Sequence, residues 1–287
     1  MAKGRELKGR IKSVQGTRKI TRTMEMVATS KLKRAQDRVV GARPFANALT
    51  KVIADLYSPI LAESFPLLRQ PTKPKRAAVV LLTSNRGLAG AFNANLIRDG
   101  RELLTRLKKE GLETELHVVG KKGLGYFRFL SAPIASSRID IGDAPTHENA
   151  RELIDPLMEA FLTGRLDAVY VIFAKFNSVL STPPTEVRIL PVTPPERSGA
   201  VPDYLLFPSA HGILAELLPL YVRSAMYSAL VETAASEQGA RRTAMKSATD
   251  NADALLNVLQ RTFNRARQAQ ITQEIAEIVG GAEALGG

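Results

Sequence analysis

Apolar residues recur at helical spacing along the first sixty positions. Leu7, Ile11 and Val14 are separated by four and three residues, and Ile20, Met24 and Val27 repeat the interval after a shift. Ala28, Leu32, Ala35, Val39 and Ala42 then step by four and three, and Leu49, Ile53, Leu56 and Ile60 continue the stripe. A stripe this narrow suits one partner helix in a left-handed coiled coil. The shifts near Gly16 and Ala28 predict a seam that drifts and does not keep a strict heptad. Continuous from Ala2 to Leu56, such a helix would run about 80 Å at ~1.5 Å per residue. Pro44, close after Gly41, removes one backbone hydrogen bond and predicts a bend costing about 3 kcal/mol.

The carboxyl end shows the same period. Tyr221, Ala225 and Ala229 are followed by Ala234 or Ala235, then by Ala244, Ala248, Ala252, Leu255, Leu259, Phe263 and Ala266, with Ile275, Ile278, Ala282 and Leu285 closing the stripe. Pro219 stands near its beginning, the uninterrupted part runs from Leu220 to Val279, and Gly280-Gly281 predicts the end. Neither terminal segment carries a turn signal strong enough to fold it back on itself, so each needs a partner helix.

The middle changes period. Ala77–Thr83 (AAVVLLT) reads as a strand buried on both faces, and a glycine-bearing loop, SNRGLAG, leads into a helical stretch from Phe92 to Glu110. Glu113–Val119, Asp167–Phe176 and Thr185–Val192 are further strands, with a helix over His147–Leu162. Strands alternating with helices predict a parallel or mostly parallel sheet. Proline-rich stretches at 71–76 and 191–202 read as linkers, giving expected segments 1–60, 70–200 and 209–285. No internal repeat is evident.

Charge sharpens this picture. Of the net +12, residues 1–58 hold fourteen basic against four acidic positions, whereas residues 209–287 hold seven against eight. The positive field therefore belongs to the amino-terminal arm and calls for an anionic partner: nucleic acid, a lipid surface or an acidic protein face. The absence of cysteine excludes disulfides, thiolate-bound zinc, iron–sulfur clusters and cysteine nucleophiles, and the three histidines form no close pair. The longest apolar run, Ala168–Ala174, is far short of the ~20 residues of a membrane-spanning helix. The charged opening MAKGRELKGR does not read as a secretory signal, so a soluble, intracellular protein is expected.

Candidate chemistry is sparse. The loop Ser84–Gly90 lies between a strand and a helix, where phosphates are often bound, but it lacks both the Gly-Lys-Ser/Thr ending and the Gly-x-Gly-x-x-Gly spacing. It reads as a tight turn. Asp140, Asp143, Glu148 and Asp155 read as solvated acids, with His147 a surface residue among them. Two segments stand out as interaction surfaces. Residues 17–36 carry Arg18, Lys19, Arg22, Lys31, Lys33 and Arg34, and residues 261–279 carry Arg265, Arg267, Gln268, Gln270, Thr272, Gln273 and Glu274. A nucleic-acid-binding coiled coil and a nucleotide-binding enzyme are the rival classes. Few aromatics and no tryptophan disfavour the first, and the missing phosphate motif disfavours the second.

RIKSVQGTRKITRTMEMVATSKLKRAQ (10–36), TSNRGLAGAFN (83–93), MKSATDNADAL (245–255) and FNRARQAQITQEIAEIVGGAEAL (263–285) together resemble the gamma subunit of the F-type ATP synthase, in the expected order along the whole chain. The resemblance implies an α/β fold class. A long antiparallel coiled coil of the N- and C-terminal helices carries an inserted Rossmann-like α/β domain. It implies a central rotor shaft with no active site and no cofactor. Its partners would be the alpha and beta subunits, epsilon and the c-ring, with no nucleic acid. The shaft would sit peripherally at the cytoplasmic face of the bacterial plasma (inner) membrane. It further implies that Met24, Lys31, Lys33 and Arg34 lie near acidic loops of beta subunits, and that Arg267, Gln268, Thr272 and Glu274 make polar contacts higher in the ring. Asn85 stands where that family usually has aspartate, Ala89 where cysteine is frequent and Thr23 where alanine is common. With no cysteine-bearing insert, thiol control is not expected.

Overall fold

The computed structural model describes residues 2–57, 64–71, 73–193 and 209–285. Two very long helices, α1 (Ala2–Leu56) and α5 (Ala210–Leu285), bracket an α/β segment. That segment runs β1 (Arg76–Leu82), α2 (Phe92–Lys109), β2 (Glu113–Val119), α3 (Lys121–Phe129), β3 (Ser136–Arg138), α4 (His147–Leu162), β4 (Ala168–Ala174) and β5 (Pro184–Leu190). The chain falls into a terminal unit, Met1–Val27 with Arg242–Gly287, and a central unit, Ala28–Arg241. The division lies inside both long helices.

In the central unit the strands follow the order β3-β2-β1-β4-β5, parallel except for the antiparallel edge β5. The chain moves outward from β1 to β3, then crosses to the other side of β1, so the strand order reverses between β1 and β4. This is a doubly wound, Rossmann-like sheet, as expected. One face carries Leu96, Leu103 and Leu107 of α2 with Phe127 of α3. The other carries Ile154 and Phe161 of α4, Ile53 of α1, and Val222 and Met226 of α5. Both faces of β1 are therefore covered, which is why its sequence is a continuous apolar run. Leu32, Ala35 and Val39 of α1 pack with Val231 and Ala235 of α5 and with Phe176, which follows β4. From Ala229 to Gly239 nearly every α5 residue is buried, so the helix there is covered all round and small residues dominate it.

In the terminal unit α1 and α5 run antiparallel, with Arg18 Nε 2.7 Å from Asp253 Oδ1 and Thr21 Oγ1 2.8 Å from Thr249 Oγ1. The seam differs from the expected one. The inward positions of α1 here are Leu7, Ile11, Val14, Arg18, Thr21 and Glu25, whereas Ile20 and Val27 are more than half exposed. The four–three spacing thus continues through polar residues without a register shift. Apolarity alone does not reveal it, because Arg18 and Thr21 are inward by virtue of their polar partners on α5. The same correction applies to α5. Met245, Thr249, Ala252 and Leu256 are buried, while Leu255 is 48% exposed.

Other differences are local. The helix α5 begins before Pro219 and passes through Gly280-Gly281 to Leu285, and α1 remains helical through Pro44. A Gly-Gly pair inside a helix costs about 1 kcal/mol per residue, too little to stop a helix this long. The elements α3 and β3 were not expected. In α3, KKGLGYFRF, Gly123 opposes helix propensity, but a Cβ there would lie 2.8 Å from Thr83 Oγ1, so packing selects the glycine. Ile60 and the second proline-rich stretch from 194 onward lie outside the described residues, as do the side chains of Ala282 and Leu285.

Candidate functional site

The turn after β1 occupies the place where doubly wound sheets bind ligands, at the carboxyl end of a strand beside the reversal point. Here it is filled from within. The Lys121 N–H donates to Asn85 Oδ1 (3.0 Å), the Lys122 N–H to the Ser84 carbonyl (3.1 Å) and the Gly123 N–H to Thr83 Oγ1 (3.0 Å). The first three donors of α3 are thereby consumed by consecutive residues of the turn, leaving none of them for a phosphate. Gly120 makes this closure possible. Its φ is +97°, and a Cβ would sit 2.2 Å from the Thr83 carbonyl oxygen. The cavity beside the turn, about 290 Å³, is lined by Asn85, Arg86, Lys121, Asp143 and Glu237 among others.

Asn85 acts in two directions. Its Oδ1 caps α3, and its Nδ2 donates to the carbonyls of Ile139 (3.0 Å) and Ile141 (2.9 Å). An aspartate could accept the first bond but donate neither of the others, so asparagine here ties the 139–145 loop to the end of β1. That loop carries Asp143, expected to be solvated but found between both long helices. Lys31 Nζ lies 2.5 Å from its Oδ2, Gln238 Nε2 donates to its Oδ1 (3.1 Å), and Arg38 Nη1 donates to its carbonyl (3.2 Å). One turn from Gln238, Arg241 donates to Glu237 (2.6 Å) and to the Gly87 carbonyl (3.3 Å), with both charged side chains about a tenth exposed. Burial pushes the Glu237 carboxyl up, and Arg241 pulls it back.

The other acids expected to be solvated are also paired. Arg138 bonds Asp140 (2.6 Å) and holds its carboxyl down at about 2, Arg223 bonds Asp155 (2.8 Å), and Arg151 lies 3.6 Å from Glu148. His147 is exposed as expected, stacked on Tyr227 at 3.7 Å. Among the described residues there is no group of three or more His, Asp or Glu placed to hold a metal ion.

Of the residues singled out in the sequence, Met24 is half-buried in the terminal unit, while Arg267, Gln268, Thr272 and Glu274 are exposed there. Glu274 accepts from Gln270 one turn away (2.8 Å). In the central unit Arg34 is exposed and Lys33 is exposed beside Asp37 (3.1 Å), whereas Lys31 is turned to Asp143. These residues mark separate outer faces, along with exposed apolar residues that the seam leaves out: Ile20, Met26 and Val27 on α1, and Leu255, Val258, Ile271 and Ile275 on α5. The 139–145 loop and Gln238 escaped sequence reasoning. Their partners are 95 to 112 residues away, and no local pattern announces them.

Terminal helices that pair through a seam of their own and leave apolar and polar rows exposed, with a doubly wound sheet inserted between them in sequence, define a two-helix protein carrying an α/β insertion. A sequence model described as ATP synthase matches residues 3–285. The chain is 61% identical over 290 residues to the ATP synthase gamma chain of Gemmatimonas aurantiaca, covering all of both chains. It is 44% identical to that of Acidothermus cellulolyticus, covering 96% of this chain and 95% of the other. The central stalk and c-ring structure of the Tetrahymena thermophila mitochondrial ATP synthase includes a chain that aligns at a TM-score of 0.61 and 26% identity, covering 80% of this chain and 99% of that one. A chain of the Euglena gracilis mitochondrial ATP synthase shares the fold at a TM-score of 0.69 and 19% identity, covering 99% and 95%. The chain belongs to the ATP synthase gamma-chain family.

Proposed function

We propose that this chain is the central rotor shaft of an F-type ATP synthase and a non-catalytic part of that enzyme. The terminal unit turns within a ring of alpha and beta subunits, and the central unit meets epsilon and the c-ring. Proton-driven rotation of the c-ring then carries the uneven outer surface of the shaft past each beta catalytic site, changing its affinity in turn. The observation that carries this reading is the division of labour on the helices. The seam is satisfied internally, so the exposed rows remain for a surrounding housing.

Those rows suit a surface that must move. Charges exposed to solvent contribute about 0–1 kcal/mol per pair and are screened by salt, so many weak contacts can be exchanged during a turn. On this reading Met24, Lys33 and Arg34 face acidic loops of beta subunits, and Arg267, Gln268, Thr272 and Glu274 make the polar contacts further along α5. Lys31 shares its charge with Asp143. Among the described residues no helix is long and apolar enough to cross a membrane. Attachment to the cytoplasmic face of a bacterial inner membrane would then come through the complex. The test is co-expression with alpha and beta subunits and purification of the assembly. One copy of this chain per complex is expected, and an alpha–beta ring that forms without retaining it overturns the reading.

A further inference from the structure

A shaft that passes torque from a globular domain into two helices has a mechanical requirement that apolar packing does not meet by itself. Hydrophobic burial is non-directional, so two apolar surfaces can slide along each other at little cost while staying buried. Hydrogen bonds to charged groups are directional and fix an axial position. In the central unit such bonds converge on one loop. Asp143 gives one carboxylate oxygen to Lys31 of α1 and the other to Gln238 of α5, while its carbonyl accepts from Arg38, two turns along α1. The same loop is tied by the Asn85 amide, through the carbonyls of Ile139 and Ile141, to the end of the central strand β1. The turn after that strand grips α5 a second time, through Arg241 on the Gly87 carbonyl.

We propose that the Asp143 loop is a torque pin, which locks α1 and α5 to the sheet at one axial register so that rotation imposed on the domain reaches both helices together. Asp143 is a positioning residue. It touches no substrate and acts through Lys31 and Gln238. Without it each helix remains packed on the sheet, but one can slip against the other and part of each step is lost as strain. The buried Gln238 Oε1 has no partner among the described residues, so this amide can serve either sign of charge at position 143 by turning over.

The inference rests on the rotor reading. Assembly of the complex tests that reading, and coupling within an assembled complex tests the pin. The experiment uses the whole proton-pumping complex in vesicles and reads initial proton uptake per ATP hydrolysed. With Asp143→Ala, which removes both side-chain bonds, the ratio is expected to fall about threefold or more, while hydrolysis stays within about twofold of the parent. Lys31→Asp alone should lower the ratio similarly. The charge-swapped pair Lys31→Asp with Asp143→Lys should restore it, because the ion pair is re-formed and Gln238 can accept from the new lysine. An unchanged ratio in Asp143→Ala overturns the proposal, as does an assembled charge-swapped complex that stays uncoupled. If Asp143→Ala fails to assemble, the charge-swapped complex decides. Coupled assembly supports the pin, and failure of both variants to assemble assigns the loop to folding alone.

Discussion

Thr21 and Thr249 place their hydroxyl oxygens 2.8 Å apart in the buried seam of the terminal unit, 228 residues apart in sequence. Each hydroxyl also has a backbone carbonyl within reach on its own helix, that of Arg18 for Thr21 (3.1 Å) and of Met245 for Thr249 (2.9 Å), so one hydroxyl donates across the seam while the other donates to its carbonyl. Four residues toward the carboxyl end of α5, the Arg18–Asp253 pair continues this polar contact. A polar pair within an otherwise apolar seam is satisfied at one register only, so it selects the alignment of the helices as well as holding them.

Replacing either threonine by valine is therefore expected to cost little. The surviving hydroxyl keeps its backbone acceptor, and the loss should be about 0.5–1.5 kcal/mol. The double change should cost less than the two single changes added together, since both hydroxyls are then gone and two methyl groups are buried instead. Thermal unfolding of the purified chain, followed by helix circular dichroism, reads all three variants. Strictly additive losses would show that the two hydroxyls do not share a bond.

This pair also marks how far the sequence could be read. The apolar period gave the two long helices, and the run AAVVLLT gave the central strand, because one residue type recurs wherever one environment recurs. The inward face near Thr21 was missed because apolarity pointed to Ile20 and Val27, which are exposed. Asp143 was missed for a different reason. A short polar loop reads as solvated unless its partners are known, and those partners lie on helices at the two ends of the chain. The role of Asn85 became visible only with the carbonyls of Ile139 and Ile141 in place.

Gly120→Ala should be severely destabilising. The new Cβ would meet the Thr83 carbonyl at 2.2 Å, and the φ of +97° is strained for any residue with a side chain. Strain and clash together should cost about 3 kcal/mol or more and free the cap of α3. A melting temperature within a degree of the parent would contradict the geometry. Gly111→Ala is the control, since its φ of +85° is strained but open space surrounds it.

His117 should make the chain lose stability in mild acid. Its Nδ1 lies 2.7 Å from Ser136 Oγ, and its buried Nε2 has no hydrogen-bond partner among the described residues, with the Glu115 carboxylate 3.8 Å away. Burial lowers its pKa below the ordinary 6.5, outweighing the opposing pull of Glu115. The unfolded chain then binds the proton more readily than the folded one. Stability is fully present above about pH 6.5 and declines as pH falls through that value toward the lowered folded pKa. Denaturant midpoints between pH 7.5 and 5.5, read against those of His117→Phe, isolate the contribution. A parent and variant with parallel pH profiles would exclude it.

Lys33→Glu with Arg34→Glu should leave the isolated chain as stable as before, within about 0.5 kcal/mol. Both side chains are exposed, and the one ion pair lost, to Asp37, spans a single helical turn. Within the assembled complex the same change should weaken coupling between hydrolysis and proton pumping, and the defect should shrink as salt is raised, because the contacts involved are screened. Lys31→Glu should behave differently. It also releases Asp143, and its defect should persist at high salt. Identical salt responses for the two variants would mean that Lys31 has no separate role.

ATP should not stabilise the purified chain. The turn after β1 carries no phosphate-binding motif, and it spends the first three N–H donors of α3 on Asn85, Ser84 and Thr83, so that helix offers none of them to a phosphate. A site with a dissociation constant one-hundredth of the ligand concentration would add about 2.7 kcal/mol, which raises a melting temperature by several degrees. Thermal unfolding with and without millimolar Mg-ATP should therefore give superimposable curves. Arg86 and Lys121 at the mouth of the neighbouring cavity are exposed and would hold an anion only through screened contacts. A rise that survives 0.3 M salt would reopen the turn as a nucleotide site, whereas one that vanishes with salt would report those two cations alone.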